Sequence, residues 1–346
     1  EALSDPHPKV KDAAKQAMAD VSGSIRNPEL GRISGSLVGA LSDPANKTKA
    51  ALDALLQCEF VHSIDAPSLA VLVPVLARAL RDRGADLKRK SAAITGNIVS
   101  MVSDANFLTP YLPSIIPCLQ ECLLDPIPDV RATAGKAFGN LIAGIGEVAG
   151  LVEVVPWLTL TLCSEESPVE RSGAAAGLAE VCCSLSEERM GEVIAQTLPL
   201  AQSVQFAARE GLLWFMSSLP MATGDAFAPH VPSCLPLVME GLNDPVESVR
   251  EVALRAGQMI AKVMAGTQAK LLTGFFCEGI FTDSWRVRNG ALELLGEVLD
   301  ILATGRNNDA GAGDSNVDGE DATYMWDMRV RMTNITAGLG QKLKSK

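Results

Sequence analysis

Leu124-Asp125-Pro126-Ile127-Pro128-Asp129-Val130-Arg131 reads as a turn running straight into a helix. A carboxylate such as that of Asp125 can accept hydrogen bonds from the free amides at a helix N-terminus, and a proline in the first helical turn forfeits no intrahelical bond. Six residues separate the acid from Arg131, and three beyond it stands the small Ala134. The same order recurs along the chain. The basic anchors are Lys11, Lys49, Lys88, Arg131, Arg171, Arg209, Arg250 and Arg288, spaced by 38, 39, 43, 40, 38, 41 and 38 residues. Six positions before them stand Asp5, Asp43, Asp82, Asp125, Glu165, Ser203, Asp244 and Thr282, and three after them Ala14, Leu52, Ser91, Ala134, Ala174, Leu212, Ala253 and Ala291.

A period of about 40 residues belongs to repeats built from helix pairs. The chain is therefore expected to be all-α, a right-handed α-solenoid of about eight HEAT-type repeats coiled into a curved superhelix. Outward from the anchors, the first helix of several pairs carries an apolar run ending in proline: Leu72-Val73-Pro74, Ile115-Ile116-Pro117, Val154-Val155-Pro156 and Cys234-Leu235-Pro236. An interior proline deletes one backbone hydrogen bond and bends the helix, so its repetition predicts a built-in kink. The recurring acid and base predict a ladder, with the acid on one turn pairing with the base of the adjacent repeat. That makes the anchors structural before they are anything else.

Composition agrees. Of 346 residues 47% are hydrophobic and only 4% aromatic, which favours closely packed helices over sheets. Eight cysteines (Cys58, Cys118, Cys122, Cys163, Cys182, Cys183, Cys234 and Cys277) are scattered through apolar stretches without paired metal-ligand spacing, and read as reduced thiols of a cytosolic protein. Cys118 and Cys122, one helical turn apart, come nearest to a motif, and core packing explains them better than a metal. No apolar run is long enough for a membrane span. The net charge of −11 argues against a general nucleic-acid binder, because such affinity rests on a basic surface. With no initiator Met and a basic end at Lys346, the chain is expected to be a fragment of something longer.

Chemistry is sparse. His7, His62 and His230 fall in different repeats, so neither a histidine metal site nor a catalytic triad is expected, and no phosphate-binding glycine loop is present. No enzyme activity and no cofactor are therefore expected. The densest basic cluster is Arg78, Arg81, Arg83, Lys88, Arg89 and Lys90, diluted by Asp82 and Asp86, at the third turn. Such clusters are most often solvated turns, yet on an acidic chain this one is a candidate contact for an acidic protein tail or an RNA backbone. Trp285 with Arg286 at the eighth turn is the second candidate, against the commoner alternative of a tryptophan packed between repeats. The candidate partner-binding residues are accordingly Arg81, Arg83, Lys88, Arg89, Lys90, Trp285 and Arg286.

Particular segments carry more than the period. Ser63-Ile64-Asp65-Ala66-Pro67-Ser68-Leu69-Ala70, Leu124 to Arg131, Glu170-Arg171-Ser172-Gly173-Ala174-Ala175-Ala176-Gly177-Leu178-Ala179-Glu180-Val181 and Asp283-Ser284-Trp285-Arg286-Val287-Arg288 resemble the giant HEAT-repeat translational activators of the general amino-acid control pathway, the GCN-one family. The resembling region is also similar to the HEAT domain of fungal elongation factor three. The resemblance implies a ribosome-binding scaffold in translational control, within the activator of the kinase that phosphorylates initiation factor two alpha under amino-acid starvation. It further implies an ATP-binding-cassette partner, a cytosolic, ribosome-associated location, and kinase contact through a more C-terminal segment not seen here. The rival reading from the residues alone is a protein-binding solenoid of the nuclear transport or trafficking class, whose acidic face would suit basic cargo.

Three regions are expected: the repeat array over 1–304, its first repeat truncated; a flexible acidic loop over 305–322; and the start of a further truncated repeat over 323–346.

Overall fold

The computed structural model describes residues 2–146, 152 and 154–304; the expected acidic loop and the final helical segment lie outside them. Helix follows helix in the order α1 (Pro8–Gly23), α2 (Pro28–Ser42), α3 (Pro44–Leu56), α4 (Ala66–Leu80), α5 (Ala85–Ser100), α6 (Leu112–Leu123), α7 (Pro128–Ile145), α8 (Val155–Leu162), α9 (Pro168–Cys183), α10 (Glu187–Thr197), α11 (Phe206–Thr223), α12 (Val231–Gly241), α13 (Glu247–Gly279) and α14 (Trp285–Thr304). Among the described residues the β-type pairing is an isolated bridge between Ile64 and Val102. Each anchor falls in the second helix of a pair, from Lys11 in α1 to Arg288 in α14.

The second helices form the spine, with α5, α7, α9, α11, α13 and α14 packing on one another in sequence. Buried residues three after the anchors, most of them small, line these contacts. Leu52, Ser91, Ala134, Ala174, Leu212, Ala253 and Ala291, each three after an anchor, are all buried. Ser91, the polar exception, donates to Leu76 O of α4 at 2.9 Å and so fastens the two helices of its own pair. Glycines bring the spine closer still: a Cβ on Gly139 of α7 would stand 2.7 Å from Glu180 O of α9.

The acid six before the anchor does not cap the following helix, as the sequence suggested. Asp5, Asp82, Asp125 and Asp244 instead each accept from the amide two residues on, at 2.8, 2.7, 2.9 and 2.9 Å, and Ser203 does so from Gln205 N at 3.2 Å. These are side-chain-closed turns, and α7 and α13 begin only after them. The anchor then completes the turn from the other side. Nη1 of Arg131 donates to Asp125 O and Pro126 O, both at 2.9 Å, and Arg209, Arg250 and Arg288 repeat the pattern on the carbonyls six and five residues back. The constant spacing of six is thus the reach of a guanidinium over its own turn.

The ladder between repeats exists at selected positions. Lys88 Nζ meets Asp125 Oδ2 at 2.6 Å, and Arg209 grips Asp244 through Nε at 2.6 Å and Nη2 at 3.0 Å. Among the described residues Arg131 has no such forward partner, and it serves its own turn. Arg131→Ala should therefore cost about 1.5 kcal/mol, the scale of losing charge-assisted hydrogen bonds at a half-buried site, and lower the melting temperature by about 3 °C. A melting temperature equal to the parent's would show that the turn needs no guanidinium.

Pro74, Pro117 and Pro236 stand inside α4, α6 and α12 as expected. Pro156 does not: α8 starts at Val155, so this proline occupies its first turn, where the missing N–H costs nothing. α13 joins the second helix of one repeat to the first helix of the next, interrupted only at Gln268, whose φ of −121° and ψ of 25° leave the helical region.

Candidate functional site

The basic cluster occupies the turn between α4 and α5. Helix α4 ends in Arg78, Leu80 and then Arg81 at the C-cap, where the negative end of the helix dipole favours cations. Asp82 accepts from Gly84 N and closes the turn, and Gly84 precedes α5. The structure divides the cluster in two.

Lys88, Arg89 and Lys90 are committed within the chain. Besides the Lys88 bond to Asp125, Lys90 Nζ lies 2.8 Å from Asp53 Oδ1 of α3 and 3.1 Å from Asp86 Oδ2, and Arg89 Nη2 lies 3.2 Å from Asp86 Oδ1. The hydrogen bond to Asp125 holds the Lys88 ammonium above its ordinary pKa, and those to Asp53 and Asp86 do the same for Lys90. On Asp125, burial pulls upward, but Lys88 and the Ile127 amide outweigh it and leave the carboxyl below the usual range. Lys88 and Lys90 bind α5 to the repeats on either side, and Arg89 pairs within α5.

Arg78, Arg81 and Arg83 are exposed, and among the described residues their guanidinium groups form no ion pair. They line an open groove of about 700 Å³ together with Pro74, Ala77, Asp82 and Ser114. Ser114 sits in the first turn of α6, so the groove runs between the first helices of two neighbouring repeats.

Trp285, the first residue of α14, is 67% exposed. The alternative of a tryptophan packed between repeats does not hold: the turn keeps its indole in solvent, and the guanidinium of Arg286 lies 5.6 Å from the ring centroid. Phe281, four residues earlier, is equally exposed. Arg288 is spent on Thr282 O and Asp283 O, and Ser284 donates to Asn243 Oδ1 at 2.6 Å, tying this turn to the previous one.

Sequence reasoning missed the exposure of Phe281 and the buried pair of Arg171 with Glu210, whose Nη2 to Oε1 distance is 2.9 Å. The signal for the pair was the acid directly after Arg209. Cys118 and Cys122 are buried, their thiols donating to Ser114 O at 2.9 Å and Leu80 O at 3.3 Å. Burial pushes the Cys122 thiol up to about 12, the condition of an inert core sulfur. Among the described residues no three or more metal-ligating side chains come together, and no helix is long and apolar enough to cross a membrane.

Two family models match the array: "Elongation factor 3/GNC1 HEAT repeat" over residues 47–150 and "EF3 N-terminal HEAT repeat" over residues 171–304. A mouse protein described as "Stalled ribosome sensor GCN1" is 42% identical over 301 residues, which is 86% of this chain and 11% of that protein. The Arabidopsis thaliana "Protein ILITYHIA" is 39% identical over 318 residues, 90% of this chain and 12% of its own length. The Saccharomyces cerevisiae "eIF-2-alpha kinase activator GCN1" is 34% identical over 319 residues, 92% of this chain and 12% of the yeast protein. The chain thus spans about one-ninth of the length of these relatives.

Proposed function

The chain belongs to the GCN1 family of HEAT-repeat proteins, and from that premise we propose that it is a ribosome-contacting segment of a translational-control scaffold that works by binding rather than by catalysis. The observation that carries this reading is the 42% identity with a stalled-ribosome sensor maintained over 86% of the chain, a span covering almost the whole array of helix pairs. Helix packing alone asks for small and apolar residues at fixed places. It does not ask for a stretch such as Asp283-Ser284-Trp285-Arg286, whose indole stays in water.

In this reading the segment acts in the cytosol, on ribosomes, within the activator of the initiation factor two alpha kinase. The kinase is met by a segment further along the complete protein, and an ATP-binding-cassette protein is a further partner of the ribosome-bound assembly. The contacts are the exposed Arg81, Arg83 and Trp285 and the half-buried Arg286, with Arg78 added by its place in the groove. Lys88, Arg89 and Lys90 serve as the frame that presents them.

Co-sedimentation of the chain with purified cytosolic ribosomes, with and without collided ribosomes, tests the proposal. Saturable binding that weakens with salt is expected, and Trp285→Ala with Arg286→Glu should weaken it several-fold without changing the melting temperature. Absence of ribosome binding in both samples at low salt would remove the ribosome from this segment's function.

A further inference from the structure

We propose that the groove formed by Arg78, Arg81 and Arg83 is an RNA site that holds the sugar-phosphate backbone of a structured RNA; it rests on the ribosome-binding reading in that ribosomal RNA is the RNA within reach. The arginines of the repeat anchors are employed very differently. Arg131, Arg209, Arg250 and Arg288 each clasp two backbone carbonyls of their own turns, and Arg171 is paired inside the core. Three guanidinium groups within six residues, all exposed and, among the described residues, all without a carboxylate or carbonyl partner, stand apart from that pattern.

The chemistry of the lining selects the ligand. A guanidinium presents a planar fork that matches two phosphate oxygens at once. Ser114 adds a hydroxyl donor from the first turn of α6, at the positive end of that helix dipole. A groove of about 700 Å³ holds a stretch of polyanion, not one isolated phosphate. Its apolar lining is only Pro74 and Ala77, which offers no deep pocket for the aromatic or aliphatic anchor on which protein partners depend. Asp82 decides between the nucleic acids. Its carboxylate stands among the arginines with one oxygen occupied by Gly84 N, and an acceptor there suits the donor that only RNA supplies along its backbone, the ribose 2′-hydroxyl.

The acidity of the whole chain is compatible with this placement. Of the six cations in the cluster, Lys88, Arg89 and Lys90 are neutralised by Asp53, Asp86 and Asp125, so the positive charge is concentrated on the α4 side of the turn. Contact is confined to that side.

The test uses the 346-residue chain and a fluorescent RNA hairpin with a short duplex stem, titrated by anisotropy, alongside the ribosome co-sedimentation. Arg78→Ala, Arg81→Ala and Arg83→Ala are combined in one variant; none of the three guanidinium groups has a partner among the described residues, so an unchanged melting temperature certifies it. Three phosphate contacts make the parent's affinity fall about fortyfold between about 50 and 200 mM salt, and the variant should lose that share of both affinity and salt dependence. A variant that binds the hairpin as the parent does overturns the proposal. Equal affinity for DNA of the same sequence overturns the ribose contact and with it the assignment to RNA. Displacement of the hairpin by polyglutamate at an equal concentration of charge overturns it in favour of an acidic protein. Ribosome binding that persists while hairpin binding is absent overturns the groove assignment and leaves the scaffold reading standing. Arginine-dependent hairpin binding without ribosome binding supports the groove and removes the scaffold reading.

Discussion

Glu210→Ala is expected to destabilise the middle of the array by about 3–5 kcal/mol, the scale of breaking a buried ion pair from one side. The Glu210 side chain is 2% exposed and that of Arg171 is 4% exposed. Oε1 of Glu210 accepts from Arg171 Nε at 3.2 Å, Arg171 Nη2 at 2.9 Å and Trp214 Nε1 at 3.3 Å, while Oε2 accepts from Ser248 at 2.7 Å. Four donors from α9, α11 and α13 converge on one carboxylate, so three consecutive repeats lose a common partner together. Arg171 would retain only Ser164 O at 2.8 Å and the face of Phe206, which leaves a buried cation largely uncompensated.

Repeat arrays can unfold in parts, so the measurement is hydrogen exchange resolved to α9 and α11, supported by urea unfolding followed at Trp214. Protection should collapse there and persist in α4 and α5. Replacing both members, Arg171→Met with Glu210→Leu, should recover most of the loss, because no charge is then stranded. A single Glu210→Ala variant within about 1 kcal/mol of the parent would mean that the pair contributes no more than a surface contact.

The second large effect is steric. Gly173 of α9 and Gly211 of α11 both lie two residues after an anchor, and a Cβ on either would stand 1.9 Å from a backbone carbonyl: Leu123 O at the end of α6 and Leu162 O at the end of α8. Neither carbonyl can rotate away as a side chain would, so the repeats must part. Gly173→Ala is expected to cost about 3 kcal/mol, at the upper end of overpacking. The matched control is Gly274 of α13, also helical, where an added methyl meets nothing within 4 Å. Gly274→Ala should raise stability by about 0.5–1 kcal/mol through the smaller entropy loss of alanine. Thermal melts of the two variants should therefore move in opposite directions, and a shared direction would refute the close-approach argument.

These sites show where legibility in the sequence stops. The anchors could be read because the guanidinium groups of Arg131, Arg209, Arg250 and Arg288 bind carbonyls five and six residues behind them, a local geometry that repeats at fixed spacing. Most of what each cation meets next could not. Arg171 finds Ser203 where the pattern asks for an acid, and the structure substitutes Glu210, on the second helix instead of the turn. Lys88 meets Asp125 as the expected ladder asks, whereas Lys90 read as free charge because its partner, Asp53, lies 37 residues away. The island at 78–90 was visible as charge, but its division into a neutralised side and an open side depends on packing. Trp285 was visible as an aromatic beside arginine, and only the end of α13 and the start of α14 place it in water.

The single-residue joint inside α13, at Gln268, has a mechanical consequence. At other junctions, such as residues 57–65 and 184–186, the chain leaves the α-helical track, and a pull along the array can first be absorbed by straightening a loop. At Gln268 the departure from helical geometry is confined to one residue. Tension or twist arriving there is taken up by rotation about that one residue, so the helix pairs on either side pivot at a short joint instead of drawing out a loop.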